Sequence, residues 1–364
     1  MFCCVANAAQ YRAALVADID SGRVLYQEKA NELNYPASLT KIMTLYLTFD
    51  ALEHKRLHLD DYLIVSQYAA DAQPVKLGLT AGSKIKVEDA IKAVAVHSAN
   101  DVARVLAENL KGGKEGNFAD LMTRVANEIG LQHTNFENSS GLPNDDHMST
   151  ARDIALLSMA VYKHFPQYWK YFGIKTWTYN GKTYTNGNRL LGTYPGCDGM
   201  KTGFTNKSRY SLVATAVRDG HHLIAVVLGA ENKDVRASVA TKMLNLGFSK
   251  LGVADANYSV PQQQTHSTPA NSTNPIAKYA TDKKPEFNTA VSYGGVGVQC
   301  GAFSSFQSAQ TQATKVSDVT GLSADIQQNE TGLYRVRING LSEGRAQNAK
   351  NIAGANGIDC YVFH

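Results

Sequence analysis

No apolar run in this 364-residue chain is long enough to span a bilayer, so we expect no transmembrane anchor. Lys and Arg do not cluster, and the formal net charge is only +4, so nucleic acid is not an expected partner. The chain contains neither a Cys-x-x-Cys pair nor a His-Glu-x-x-His sequence, and its 10 histidines are scattered. We therefore expect neither a metal ion nor another cofactor.

Cysteines are also few, and two of the five lie in an unusual N-terminal stretch, residues 1–9. There, Ala6-Asn7-Ala8 has the small-x-small form of a signal-peptidase site, but a charged n-region and a full apolar h-region are missing. We interpret residues 1–9 as the remnant of a secretory signal, which predicts export to the periplasm. An ordinary N-terminal tail is the alternative. Removal of Cys3 and Cys4 would leave three cysteines, so at least one thiol stays unpaired within the chain.

What the chain does contain is Ser38-Leu39-Thr40-Lys41 at the start of an apolar run. Residues three apart on a helix are neighbours, so Lys41 would lie beside the Ser38 hydroxyl. One explanation is an N-cap serine followed by a solvent-facing lysine. The other is a serine nucleophile activated by a desolvated lysine, which requires Lys41 to be largely buried at the edge of a cleft.

Two further motifs favour the second explanation. Ser98-Ala99-Asn100 lies inside or at the edge of a predicted helical stretch from Val87 to Leu110, and Lys201-Thr202-Gly203 precedes a strong hairpin pattern. Ser83-Lys84-Ile85-Lys86 also fits Ser-x-x-Lys, but it precedes an alternating stretch rather than an apolar helix. Order and context therefore select the Ser38 copy.

The catalytic requirements of acyl transfer explain the first two motifs. Such a reaction needs a nucleophile and a base within hydrogen-bond reach, which the turn from Ser38 to Lys41 supplies. Ser98 can relay a proton between that base and a leaving amine. Asn100 can hold the amide of the acyl chain or orient Lys41. The alternative is that Ser98 and Asn100 are polar residues on a helix surface.

The third motif suits substrate binding. Lys201 and Thr202 offer a cation and a hydroxyl for a terminal carboxylate. Gly203 lets an extended substrate approach the strand closely. The alternative is an ordinary turn.

Periodicity predicts an α+β domain over residues 10–252. Two strands are followed by a block of helices, three strands and a closing helix, which predicts a mostly antiparallel sheet with strands from both ends of the domain. The clearest elements are strands at Tyr11–Asp18, Tyr210–Val217 and His222–Leu228, and helices at Phe118–Ile129 and at Asp234–Leu246, the last with Gly247 as its stop.

Residues 253–290 have little to bury and predict a flexible linker. Residues 291–364 then follow a βαββαβ order. In that order the first and last strands are neighbours, so Cys300 would lie near Cys360. We hypothesise a disulfide there if the chain is exported, with two small buried side chains as the alternative. The predicted elements are Val296–Phe303, Ser305–Val316, Ser323–Gln328, Leu333–Ile338, Glu343–Ala353 and Ile358–Phe363.

From Tyr11 to Leu251 the chain resembles the low-molecular-weight D-alanyl-D-alanine carboxypeptidases, which are penicillin-binding proteins. The three motifs are those of serine β-lactamases and penicillin-binding proteins. The wider context is similar too, at Asp198–Thr205, Phe136–Leu142 and His147–Asp153. This resemblance implies the serine β-lactamase/DD-peptidase fold and inhibition by β-lactams.

The resemblance also implies the reaction. Ser38 would be acylated by the penultimate D-alanine carbonyl of a peptidoglycan stem peptide, terminal D-alanine would leave, and Lys41 would be the base. The backbone N–H groups of Ser38 and Phe204 would form the oxyanion hole. The family often has histidine where Phe204 stands, so only the backbone role carries over.

Residues 291–364 resemble a sporulation-related repeat (SPOR) domain, which implies binding to denuded glycan strands. The candidate surface residues are Gln299, Phe303, Tyr334 and Arg337, with packing in the core as the alternative for each. A DD-endopeptidase that cuts cross-links and a catalytically degenerate wall-binding scaffold remain alternatives for the whole chain. A β-lactamase is less favoured, because no counterpart of the deacylating glutamate loop is evident.

Overall fold

The computed structural model describes residues 10–111, 115–253 and 296–363, apart from 321, 323, 330 and 342. The chain folds into two compact units, one on each side of residue 285. The proposed signal remnant and the predicted linker beyond residue 253 lie outside the described residues. Within the described ranges, no helix combines the length and the apolar character needed to cross a bilayer.

The N-terminal unit is an α+β structure, as predicted. Its strands are β1 (Ala13–Asp18), β2 (Val24–Glu28), β3 (Tyr62–Ile64), β4 (Lys84–Lys86), β5 (Thr176–Tyr179), β6 (Lys182–Thr185), β7 (Cys197–Thr205), β8 (Arg209–Arg218) and β9 (His221–Ala230). Its α-helices are α1 (Lys41–Glu53), α2 (Gln67–Ala70), α3 (Val87–Lys92), α4 (Asn100–Lys111), α5 (Glu115–Glu128), α6 (Ala151–His164) and α7 (Lys233–Lys250). Short 3-10 helices span Ala37–Thr40 and Pro166–Gly173, and a π-helical turn spans Ala93–His97.

The main sheet is antiparallel and gathers strands from both ends of the unit, in the order β2-β1-β9-β8-β7. Strand residues alternate between its two faces. One face packs on α7 through a core that includes Val16, Leu212 and Phe248. The other face lies against the helical block, where the His222 ring contacts Tyr162 of α6. Because β1, β8 and β9 are buried on both faces, they read as nearly continuous apolar runs.

The predicted stop at Gly247 is wrong, because α7 continues to Lys250. A Cβ at position 247 would lie 2.7 Å from Leu223 Cδ1 and 3.0 Å from Val16 Cγ2, so this glycine allows the helix to pack closely on the sheet. The helix ends before Gly252, whose φ is +78°.

The C-terminal unit has the predicted βαββαβ order. Its elements are β10 (Val296–Phe303), α8 (Phe306–Thr320), β11 (Asp325–Gln328), β12 (Tyr334–Leu341), α9 (Glu343–Ala355) and β13 (Tyr361–Phe363). The sheet order is β11-β12-β10-β13, so the first and last strands are neighbours, and Cys300 and Cys360 form the hypothesised disulfide.

Two candidate surface residues of this unit are buried. Tyr334 packs in the core against the Phe306 ring, so its assignment to the surface is wrong. Gln299 is buried, and its side-chain oxygen accepts a hydrogen bond of 2.8 Å from Arg337 Nε. Phe303 and Arg337 are half-buried.

Candidate active site

Ser38 lies in the 3-10 helix that leads directly into α1. No side chain caps either helix, so the N-cap explanation for Ser38 is wrong. Lys41 is fully buried, as the catalytic explanation requires, and the expectation of a largely buried lysine is confirmed. Thr44 and Thr48, which follow Lys41 along the same polar side of α1, are also buried.

The Lys41 ammonium nitrogen has three oxygen neighbours. Nζ lies 3.0 Å from Ser38 Oγ, 2.7 Å from Asn100 Oδ1 and 2.6 Å from the Ser140 carbonyl oxygen. A neutral amine has two N–H groups and one lone pair. If the N–H groups donate to Asn100 and Ser140, the lone pair is left for the Ser38 hydroxyl proton.

Burial lowers the pKa of Lys41 well below its ordinary value, and the charge of Lys201 lowers it further. The carboxylates of Glu115 and Asp101 act in the opposite direction. A lysine in this setting can lose its proton at a much lower pH than an exposed one, as a general base requires.

The predicted helix from Val87 to Leu110 is interrupted at the second motif. Ser98 follows the π-helical turn and has a left-handed backbone with φ of 65°. The Asn100 N–H leaves the helical pattern and donates to the Val75 carbonyl at 2.8 Å. Among the described residues, the buried Ser98 Oγ has no hydrogen-bond partner.

Both the oxygen and the nitrogen of the Asn100 side-chain amide are hydrogen-bonded within the protein. Its Oδ1 accepts from Lys41, and its Nδ2 donates to the Gln73 carbonyl at 2.9 Å. Of the two predicted roles for Asn100, the geometry therefore favours the orientation of Lys41.

Lys201 is buried on β7, the strand that ends the main sheet on this side. Strand alternation places Lys201 and Gly203 on the same face, and a Cβ at Gly203 would lie only 3.3 Å from Ser38 N. The third motif therefore passes directly against the first. Burial, followed by the charge of Arg236, lowers the pKa of Lys201 to about 7. Its Nζ donates to the Thr202 carbonyl at 3.1 Å.

Thr202 and Phe204 alternate with those residues on β7. A Cβ at Gly187 would lie 2.6 Å from Thr202 Oγ1, so the absence of a side chain at that position leaves room for the hydroxyl. The Phe204 side chain is 49% exposed and packs on the Tyr210 ring with centroids 4.4 Å apart. The Phe204 side chain thus packs against Tyr210. Its backbone directly follows Gly203, the residue that lies against Ser38.

The sequence did not predict the contact that residues 138–142 make with Lys41, and the segment was noted only for its resemblance to the family. Asn138 Oδ1 accepts from the backbone N–H groups of Ser140, Gly141 and Leu142 at 3.2, 2.7 and 3.1 Å, and this folds the segment into a tight loop. The loop presents the Ser140 carbonyl to Lys41. A backbone carbonyl has no residue signature, so only the resemblance of this segment to the family could have indicated it.

A second missed group is Asp101, fully buried beside Asn100. Its carboxylate accepts from the backbone N–H groups of Leu77, Gly78 and Leu79 at 3.0, 2.9 and 3.2 Å. These bonds hold the 77–79 segment against the second motif.

The start of β7 is held by Asp198. Its carboxylate accepts from Thr215 Oγ1 at 2.7 Å and Trp169 Nε1 at 2.8 Å, and His222 Nε2 lies 3.1 Å away. Burial would raise the pKa of Asp198, but His222 and these donors outweigh it and lower the pKa. The neighbouring Cys197 is a free thiol whose pKa burial raises to about 11, so it is a poor nucleophile.

The second Ser-x-x-Lys sequence has no such surroundings. Lys84 is exposed on the short strand β4, and Ser83 Oγ donates to the Thr80 carbonyl. The structure thus brings Ser38, Lys41 and Asn100 together, with Gly203 against Ser38, and leaves the Ser83 copy on the surface.

Comparison with known families agrees with this geometry. Residues 4–232 match the profile of the family described as D-alanyl-D-alanine carboxypeptidase, and residues 292–363 match the SPOR domain. The chain is 35% identical to D-alanyl-D-alanine carboxypeptidase DacF of Bacillus subtilis over 67% of its own length and 63% of that protein. It is 38% identical to D-alanyl-D-alanine carboxypeptidase DacC of Escherichia coli over 65% of its own length and 61% of that protein. The chain thus spans about three fifths of these relatives.

Solved structures show the same similarity. Penicillin binding protein 5 of Haemophilus influenzae aligns with a TM-score of 0.64 and 32% identity, covering 66% of this chain and 71% of that one. Penicillin-binding protein D2 of Listeria monocytogenes, in its ampicillin-bound form, aligns with a TM-score of 0.58 and 31% identity, covering 66% and 97%. The predicted fold class is therefore confirmed.

Proposed function

The chain belongs to the D-alanyl-D-alanine carboxypeptidase family and carries a SPOR domain, and we propose that it is a serine-type D-Ala-D-Ala carboxypeptidase delivered to the cell wall by that domain. The observation that supports this most strongly is the buried Lys41 amine, whose Nζ is 3.0 Å from Ser38 Oγ and is held by Asn100 and Ser140. The intact set of groups also argues against a degenerate scaffold.

In this proposal Lys41 accepts the Ser38 proton as Oγ attacks the carbonyl carbon of the penultimate D-alanine. A C–O bond forms, and the carbonyl oxygen becomes an oxyanion that the N–H groups of Ser38 and Phe204 stabilise. The C–N bond then breaks, and terminal D-alanine leaves with a proton that Lys41 returns through the Ser98 hydroxyl. Water hydrolyses the ester and restores Ser38.

Lys201 binds the substrate's terminal carboxylate, with Thr202 as a second donor. A buried cation with few partners is costly, and a carboxylate would provide the missing charge. Gly203 lets the extended peptide lie close to β7. A β-lactam would acylate Ser38 in the same way, so we expect penicillins to inhibit the enzyme.

The C-terminal unit binds denuded glycan strands in this proposal. The sheet face opposite its core carries Arg337, which donates to Gln299 and also to Gln327 at 3.3 Å and covers the Phe363 ring at 4.5 Å. Polar groups beside aromatic rings suit sugars. We assign the catalytic domain to residues 10–252, the linker to 253–290 and the SPOR domain to 291–364. Because peptidoglycan is the proposed substrate, we also propose that the chain acts in the periplasm.

The test is D-alanine release from a pentapeptide that ends in D-Ala-D-Ala. We expect release by the wild type and by Ser83→Ala, the matched control from the second Ser-x-x-Lys sequence, and none by Ser38→Ala. Cleavage of a cross-linked dimer in preference to the pentapeptide would instead identify a DD-endopeptidase. Equal release by Ser38→Ala and the wild type would refute the proposed nucleophile.

A further inference from the structure

Beneath the loop that contacts Lys41 lies a buried carboxylate that belongs to none of the three motifs. Glu115, at the start of α5, is only 6% exposed. Its Oε1 accepts from the backbone N–H of Ser139 at 2.9 Å and from the Ser139 hydroxyl. Its Oε2 accepts from Tyr68 Oη at 2.6 Å and lies 3.4 Å from Arg104 Nε. All of these contacts point to a single, well-defined position for the carboxylate.

Through Ser139, this carboxylate is connected to the catalytic lysine. The carbonyl of Ser139 accepts from Thr44 Oγ1 at 2.6 Å, one helical turn after Lys41. The next carbonyl, that of Ser140, accepts from Lys41 Nζ at 2.6 Å. Displacement of Ser139 would therefore move an acceptor of the lysine.

Charged side chains from several elements influence the pKa of Lys41. Lys201 on β7 is the nearby cation, and Asp101 on α4 and Glu115 on α5 are the nearby carboxylates. His147, which precedes α6, is held neutral by burial and by the charge of Lys41. Arg104 partly balances Glu115, so removal of the carboxylate would also leave a cation without its partner.

We propose that Glu115 is a positioning residue for the acylation step: it fixes the backbone of Ser139 and Ser140 so that the Ser140 carbonyl stays on Lys41 Nζ. The buried Glu115 carboxylate also raises the pKa of that amine. The inference rests on the proposed function, because it assigns a role to Lys41 as the base. Burial and the charge of Lys201 lower the pKa of the amine, and Glu115 acts against them together with Asp101.

The experiment measures the second-order rate constant of acylation by a fluorescent penicillin between pH 5 and pH 10, on the full chain. In Glu115→Gln the amide keeps an oxygen acceptor but the charge is lost. Because Glu115 raises the pKa of Lys41, its removal should move the acid limb of the profile to lower pH. The plateau should fall, by about tenfold to a hundredfold if the Ser140 carbonyl also shifts.

Two matched variants separate charge from contact. Ser139→Ala removes one hydrogen bond and keeps the carboxylate, so its plateau should fall while its acid limb stays in place. Glu108→Gln removes a carboxylate on α4 that bonds to Ser66 instead of the loop, so its profile should match the wild type.

The inference is overturned if the acid limb of Glu115→Gln coincides with that of the wild type, whatever happens to its plateau. A purely structural role would lower the plateau and the thermal stability without moving that limb. If the wild type itself is not acylated, the proposed function fails before any variant is compared.

Discussion

Substitution of Gly141 tests whether the loop of residues 138–142 lies in close contact with the segment that carries Ser38. A Cβ at this position would lie 1.8 Å from the Ala37 carbonyl oxygen and 2.9 Å from Thr40 Oγ1, on a backbone with φ of +79°. To reach an ordinary contact of 3.4 Å, the oxygen would have to move by about 1.6 Å. Ala37 directly precedes Ser38, so Gly141→Ala should displace the nucleophile.

A displacement of that size has a large kinetic effect, since a 1 Å misplacement of reacting groups can cost about a hundredfold in rate. We therefore expect Gly141→Ala to lose at least about a hundredfold in acylation. Gly220→Ala is the matched control. Gly220 has the same φ of +79° with nothing within 4 Å, so that variant should lose only about 1–2 kcal/mol of stability to backbone strain.

Acylation is followed with a fluorescent penicillin, and unfolding in urea with tryptophan fluorescence. Both tryptophans, Trp169 and Trp177, lie in the N-terminal unit, so the signal reports on that unit alone. Equal acylation rates for Gly141→Ala and Gly220→Ala would refute the close contact. The control also shows how much of any loss comes from backbone strain alone.

Two other predictions concern stability. His147 donates from Nε2 to Thr40 Oγ1 and accepts from the Glu137 N–H, and burial lowers its pKa to about 3. The imidazole stays neutral in the folded state but gains a proton in the unfolded state below about pH 6.5. As the pH falls from 8 to 5, His147 should therefore lower the free energy of unfolding by about 2 kcal/mol. In urea unfolding, the stability difference between the wild type and His147→Gln should change by that amount; a constant difference would contradict it. Replacement of Cys300 and Cys360 by serine removes a disulfide that spans 60 residues, and it should lower the free energy of unfolding of the C-terminal unit by up to about 4 kcal/mol while acylation stays unchanged. Circular dichroism would follow the unfolding, and an unaltered transition would contradict the prediction.

Much of the fold follows from local patterns. The hairpin of β8 and β9 was predictable because two apolar runs flank Asp219-Gly220, and two residues with positive φ are what such a turn needs. The disulfide was predictable because the βαββαβ order makes β10 and β13 neighbours. Gly247 was misassigned because a glycine that ends a helix and one that packs against a sheet look alike in sequence.

The candidate site was only partly predictable, for a different reason. Ser38 and Lys41 are close in sequence, so helical spacing alone indicates their contact. The contacts that tune Lys41 cross long separations: the Ser140 carbonyl lies 99 residues away in sequence, and Glu115 acts through Ser139. The helix break at Ser98 was not predicted, because the apolar pattern continues through this position. The break is accompanied by a hydrogen bond from Asn100 N to the Val75 carbonyl, a tertiary contact that a local pattern does not reveal.

The assignment of Ser38 as the nucleophile can be checked by intact mass spectrometry of the full chain after incubation with penicillin. We predict one added penicilloyl group on the wild type and on Ser83→Ala, located by digestion to the peptide that contains Ser38, and no adduct on Ser38→Ala. An adduct that persists in Ser38→Ala, or no adduct on any of the three proteins, would contradict this account.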